Sequence, residues 1–527
     1  MKRAATKNNL REIRKSVGRY IAIASIVCIG VGFFSGLSVT RESMIDTAND
    51  YTNAVQMYDY KLISTLGLTE EDIGAFASVD GIRTAEGSYS ADFLWYSEEA
   101  GSDYVLSAHS LGTDINGVGL LYGRMPESPD ECLADSLIFG EDALGTVLTL
   151  SVNNDEDTFE SFAHDEYTIV GIVNSPFYIN RMRPSSRLGN GSSLAFVLIP
   201  DEGFSMEVYT EAYLGLQENA YVFSEEYEVL AERYEPAVTE ALEERAAVRY
   251  SSLYSDASAE IADAEKEVND AKEKLADARA ELEENQQKLA DAEAELAEAE
   301  PKIADAKEEL SKLEEPTTFV LTRSVNTGYS NLENDSAIVE GIARVFPIFF
   351  FAVAALVCST TMARMVSDQR TEIGTLKALG YSDFRVMWKY ILYSGSAALI
   401  GSVVGFLGGS WVFPTVIWTA YKMLYCYSET TNYILDLPLG VISLAVALTC
   451  SVGATILSSK SELREMPASL IRPRAPQAGK RILLERIPGL WKHFRFLHKV
   501  SLRNIFRYKK RLVMMLLGIS GCTALLL

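Results

Sequence analysis

Apolar positions along this chain follow three patterns, and each predicts a different kind of element. The first is the uninterrupted run. Tyr20–Val39, Val345–Ala363, Tyr390–Tyr421 and Leu437–Ser459 contain no charged residue. About 20 apolar residues, each rising roughly 1.5 Å along a helix, cross the hydrocarbon core of a bilayer. The runs therefore predict membrane helices over 20–40, 343–363, 390–413 and 437–459. A fifth run over 512–527 is still apolar at Leu527 and is expected to be the start of another membrane helix in a longer protein.

The second pattern is a spacing of three and four. One seam position is filled by Ile261, Val268, Leu275, Leu282, Leu289, Leu296, Ile303 and Leu310, and the other mostly by alanine. Asn285 interrupts it as a polar residue that fixes register or marks a bend. A heptad kept up this long predicts a coiled coil, here over 224–315. A helix from Asp256 to Glu314 would reach on the order of 85 Å, with Pro301 ending, restarting or kinking it. Two arrangements stay open: an antiparallel hairpin in one chain, with the weaker pattern over Tyr227–Leu253 as its second helix, or a coil between molecules.

The third pattern is the short β-favouring run bounded by turn residues. Tyr60–Ser64, Val147–Val152, Tyr167–Val173 and Leu194–Ile199 are expected strands. Thr69 followed by Asp72 predicts a capped helix over Thr69–Phe76. The mixture indicates an α+β domain over 41–223, in one core or two lobes, with 316–342 returning the chain to the membrane.

Charge divides the chain in the same way. Between Arg41 and Ile342 there are 63 acidic and 19 basic residues, a net of −44; the rest holds 9 acidic and 29 basic, a net of +20, giving −24 overall. Basic residues mark the cytoplasmic side of membrane helices. They crowd the N-terminal segment 1–19, the loop 364–389 and the linker 460–511, so these face the cytoplasm, while 41–342 and the loop 414–436 face outward. The expected location is a bacterial cell membrane, crossed several times from a cytoplasmic N-terminus. A signal peptide is the competing reading of the N-terminus, but the apolar stretch is long and lacks a small-x-small cleavage site. Segment 1–19 reads as an amphipathic helix with Leu10, Ile13 and Val17 on one stripe. Lys499, Leu502, Arg503, Ile505, Arg507 and Arg511 repeat Lys7, Leu10, Arg11, Ile13, Lys15 and Arg19 at a constant offset, which suggests an internal duplication.

Candidate chemistry is sparse. Six cysteines form no disulfide framework or metal spacing, and the acidic residues of the outer region read as solvated surface. No cofactor, metal site, nucleic-acid surface or catalytic residue is expected. The informative stretch lies between the second and third spans, over Arg370–Gly380. Ile373, Leu376 and Leu379 share one face of a short helix; Arg370, Glu372 and Lys377 lie elsewhere on it. Gly380 suits its left-handed end, and Ser382 caps the next helix. After the fourth span, Ser461–Pro473 is a second segment of mixed charge, including Glu462, Leu463, Arg464 and Pro467.

One span, a large outer domain, three further spans, the stretch Arg370–Gly380 and the segment Glu462–Ala468 together resemble the FtsX-like permeases, the membrane subunits of MacB-type ABC systems. Gly171, Ile172 and Val173 with their surrounding strands are similar to that family's extracytoplasmic domain. The chain departs from the family pattern in its coiled coil and in beginning a second copy. The resemblance implies that Arg370, Glu372, Ile373, Gly374, Leu376, Lys377 and Gly380 belong to a coupling helix that docks on a separate cytoplasmic ATPase, itself a dimer. No Gly-x-x-x-x-Gly-Lys-Ser/Thr phosphate loop occurs in the chain, so ATP hydrolysis would fall to that partner. Two outcomes are expected of such a permease: export of a solute, or regulation of an extracytoplasmic protein such as a cell-wall hydrolase through the coiled coil.

Overall fold

The computed structural model describes residues 11–97, 100–280, 301–308, 310–312, 314–472 and 496–507, with isolated residues beyond. The helices are α1 (Val17–Ala54), α2 (Glu70–Ala77), α3 (Glu156–Glu160), α4 (Glu225–Ala280) and α5 (Thr327–Asp368). They continue with α6 (Arg370–Ala378), α7 (Asp383–Tyr421), α8 (Leu437–Leu463), α9 (Pro467–Ile471) and α10 (Phe496–Arg507). The strands are β1 (Tyr60–Ser64), β2 (Ile82–Ser88), β3 (Ser90–Ser97), β4 (Ser102–Ser110), β5 (Gly119–Gly123) and β6 (Glu131–Asp135). Beyond them lie β7 (Val147–Thr149), β8 (Glu166–Asn174), β9 (Ala195–Ile199), β10 (Glu211–Leu216) and β11 (Thr318–Thr322).

These elements form two units. A helical unit contains 1–47, 334–423 and 430–527; a sheet unit contains 48–333 and 424–429. Among the described residues, four helices, within α1, α5, α7 and α8, are long and apolar enough to cross a membrane. The protein is thus an α-helical multi-pass membrane protein carrying an α+β domain.

In the helical unit, α1 and α7 meet backbone to backbone. A Cβ at Gly401, Gly405 or Gly409 would collide with the main-chain oxygens of Ala24, Cys28 and Gly32. Small residues at such spacing let membrane helices gain dispersion contacts and weak Cα–H bonds where no hydrophobic force drives them together. Phe33 then stacks on Phe350 of α5, ring centroids 4.4 Å apart.

The sheet unit is built on two sheets. One has the order β11-β1-β10-β2, with all pairs antiparallel. The other runs β3-β4-β9-β6-β8-β5, with β7 added to β8. A single residue, Tyr89, separates β2 of the first from β3 of the second. On the smaller sheet, Tyr60, Leu62, Phe76, Leu214, Val238 and Leu242 bury a core beneath α2 and α4, each such side chain contributing roughly 1.5–3 kcal/mol. The expected cap at Thr69 is a full capping box with Asp72, and Arg245 of α4 holds the other oxygen of Asp72 at 2.5 Å.

Three expectations need revision. No straight helix runs from Asp256 to Glu314. Instead α4 begins at Glu225, and residues 301–312 return along it: Lys307 pairs with Glu265, and Ile303, Ala306 and Leu310 line a groove with Leu253, Ala257, Ile261 and Ala264. Ile303, Ala306 and Leu310 thus lie along Leu253–Ala264 of α4, the same continuous helix that contains Tyr227–Leu253. Leu282, Asn285, Leu289 and Leu296 lie outside the described residues, as does most of the expected fifth span. The return segment 316–342 is no plain connection, since β11 pairs with β1 along five residues and α5 begins at Thr327. Finally, the loop 414–436 is split: α7 runs to Tyr421, and Leu424–Glu429 joins the sheet unit.

Candidate functional site

The stretch Arg370–Gly380 forms a distinct helix, α6, divided from α5 by one residue. Gln369 leaves helical geometry at φ −95°, ψ 15°. At the other end Gly380 takes φ +88°, and the NH groups of Gly380 and Tyr381 donate to the oxygens of Lys377 and Leu376 at 3.0 and 3.1 Å. A residue with a side chain would be strained there, so glycine closes the helix. Ser382 caps α7 through the NH of Arg385.

The faces of α6 divide the predicted residues. Ile373 is buried in a cluster with Met362, Val386, Leu463 and Leu470, and half-buried Leu376 packs against it. Gly374 lies so close to Leu470 and Ile471 of α9 that a Cβ would come within 2.9 Å of them. Arg370 reaches the carboxylate of Glu465, lies 3.8 Å from that of Glu462 and donates to the oxygen of Ser469 at 3.1 Å. Lys377 donates to the oxygens of Leu463 and Glu465 and pairs with Asp383 at 2.9 Å. Glu372, Thr375, Leu379 and Gly380 remain exposed.

The structure therefore brings the two predicted inner segments together: Arg370 and Lys377 of the first hold Glu462, Leu463 and Glu465 of the second. Pro467 begins α9, and Arg464 points away as an exposed cap residue. A polar junction that sequence reasoning missed surrounds the break at Gln369. Its amide oxygen accepts from Tyr390 at 2.8 Å and Lys389 at 3.3 Å, and its nitrogen donates to Glu12. Lys389 also pairs with Glu12 and Glu372. Arg19 pairs with Asp368 at 2.9 Å. The N-terminal segment is thus packed into the unit: Ile13 adjoins the Ile373 cluster, and Ser16 contacts Tyr393. The signal for this junction was scattered among single residues up to 377 positions apart, which no local pattern displays.

Among the described residues, no cluster of three His, Cys, Asp or Glu side chains could hold a metal ion. Three apolar residues at the ends of these segments are exposed, Leu379 at 71%, Phe384 at 64% and Met466 at 77% of full exposure.

Among solved structures, the extracellular domain of the noncanonic ABC-type transporter YknZ from Gram-positive bacteria matches with 13% identity, over 34% of this chain and 87% of that one, at a TM-score of 0.22. The periplasmic region of MacB from Actinobacillus actinomycetemcomitans matches with 10% identity, over 36% and 87%, at 0.21. A search of curated proteins found no match. Residues 344–465, which hold α6 and its bridge to Glu465, match the family of the FtsX-like permease C-terminal domain. Over that stretch the chain is similar to the FtsX-like permeases.

Proposed function

We propose that this protein is the membrane subunit of an ABC system and relays movement from a separate, dimeric cytoplasmic ATPase to its sheet unit. The observation that carries this reading is the clamp of α6 onto the end of α8 by Arg370 and Lys377. α6 also follows α5 after one residue and precedes α7 after a tight turn. A push on its exposed face therefore acts on three membrane helices at once. The basic bias of 1–19, 364–389 and 460–511 supports a cytoplasmic α6 and an outward-facing sheet unit under the positive-inside rule. The permease performs no hydrolysis itself.

Of the two outputs, action on an extracytoplasmic protein is favoured over solute export. α4 runs for 56 residues, and 301–312 return along it as one side of a coiled-coil hairpin; such an arm offers a protein a docking surface and a small solute no path. Glu372→Arg is expected to abolish co-purification with the ATPase, and Glu372→Gln, which gives up the pair with Lys389 without reversing the charge, reports how much of the loss comes from that pair. Unchanged co-purification and ATP turnover would sink the coupling role. Removing Ile261–Leu313 should spare ATPase assembly and end the extracytoplasmic output.

A further inference from the structure

The sheet unit encloses a cavity of about 330 Å³, at the small end of the roughly 300–1,000 Å³ range of ligand sites. Tyr58 and Tyr213 approach it from the smaller sheet, His109 of β4 from the larger, and Phe177, Tyr178 and Asn180 from the connection after β8. Its walls are aromatic. Ring centroids lie 5.0 Å apart for Tyr58 and Tyr213, 5.3 Å for Phe177 and Tyr213, and 5.1 Å for His109 and Phe177.

The cations that reach it are already matched. Lys61 lies 2.5 Å from Glu211, and Arg183 donates to both oxygens of Asp135 at 2.7 Å. Two polar atoms are not matched. His109 and Asn180 are 9% and 6% exposed, yet His109 Nδ1 and Asn180 Nδ2 lack a hydrogen-bond partner. The other end of each group is engaged: His109 Nε2 meets the Tyr178 hydroxyl at 2.7 Å, and Asn180 Oδ1 accepts from the NH of Met182 at 3.1 Å. A buried polar atom left unpaired is unfavourable, and a molecule that supplies its partner removes that cost.

We propose that this cavity binds a neutral, hydroxyl-bearing ring of monosaccharide size, one face against the aromatic walls and its oxygens on Asn180 Nδ2 and His109 Nδ1. An ionic ligand would bring a charge into a buried site whose own charges are paired, with no counter-charge to receive it. The loop that presents Asn180 also carries the strap 424–429: Arg181 NH donates to Leu424 O at 3.0 Å and Cys426 NH to Ile179 O at 2.8 Å. Occupancy thus bears on a segment that leads directly into α7 and α8. This site is independent of the ATP-coupling reading and stands or falls separately.

The test is saturation-transfer NMR on the full chain in lipid nanodiscs free of glycoside detergent, with glucose, N-acetylglucosamine and inorganic phosphate as probes. At least one sugar should bind. Asn180→Asp, which keeps an acceptor for Met182 and removes the donor, should weaken binding roughly tenfold. Val325→Trp, at a rim position 48% exposed, should block it, and thermal unfolding of both variants verifies that they fold. Absence of sugar binding to the unaltered protein, equal binding in both variants, or preferential binding of phosphate would each overturn the proposal.

Discussion

Lys377 sets its ammonium 2.5 Å from the main-chain oxygen of Leu463 and 3.0 Å from that of Glu465. The Leu463 carbonyl closes α8, where the helix dipole presents its negative end, so one side chain both caps a membrane helix and ties α6 to it. Lys377→Met should lower the thermal stability of the full chain by about 1–2 kcal/mol, while Lys377→Arg recovers part of it. A melting temperature unchanged in Lys377→Met would show that the contact carries no load.

The two faces of α6 should fail in different ways. Ile373→Asp places a charge in the cluster with Met362 and Leu463, and is expected to destabilise the chain by about 3 kcal/mol or more. Leu379→Asp, at a position 71% exposed, should leave the melting temperature within a degree or so and remove ATPase co-purification. Pull-down and thermal unfolding run side by side distinguish the two; identical behaviour would remove the distinction between clamped and docking faces.

Gly405 faces the main chain of Cys28 with no room for a Cβ. Gly405→Val should therefore force α1 and α7 apart. A cysteine pair replacing Phe33 and Phe413, whose rings meet at 4.5 Å across the same two helices, should crosslink in the parent protein and lose most of its yield in the Gly405→Val background. Equal yields would mean that the helices meet by some other route.

Burial in the sheet unit pushes the His109 imidazole down from its ordinary value of 6.5 to about 4, with Lys61 adding to the depression while Glu211 and Asp92 oppose it. An unfolded chain then binds a proton that the folded one refuses. Stability is complete above pH 6.5 and falls as pH drops toward 4, by on the order of 3 kcal/mol over the whole window. Glu211 is buried, which alone would raise its carboxyl, yet Lys61 holds it below its ordinary 4.5, so its own loss comes at lower pH. Melting temperatures of the full chain between pH 6.5 and 5 should decline in the parent and flatten in His109→Gln; parallel curves would refute the assignment to His109.

The membrane helices, the strand Tyr60–Ser64, the capping box at Thr69 and the glycine stop at 380 were legible because each is set by neighbours a few residues away. Local signals could not show that Ile373 and Leu376 face inward, since an apolar stripe on a short helix reads the same whether it meets its own protein or a partner. Nor could they show Lys377 on Leu463, a contact 86 residues distant, or the cavity around His109, whose walls come from both sheets. The heptad of Ile261–Leu313 left open whether it closes within one chain or between molecules, because a repeat of one spacing specifies a seam without specifying where the chain reverses.

The strap at Leu424–Glu429 has a consequence for biosynthesis. The sheet unit is assembled from two stretches of chain, and the second is made only after α5 and α7 have left the ribosome. Its loop at Ile179–Arg181 cannot acquire its last main-chain partners until those helices have been synthesised. Completion of this domain is therefore ordered behind membrane insertion, and a chain arrested before Leu424 would carry both sheets but lack their final edge contact.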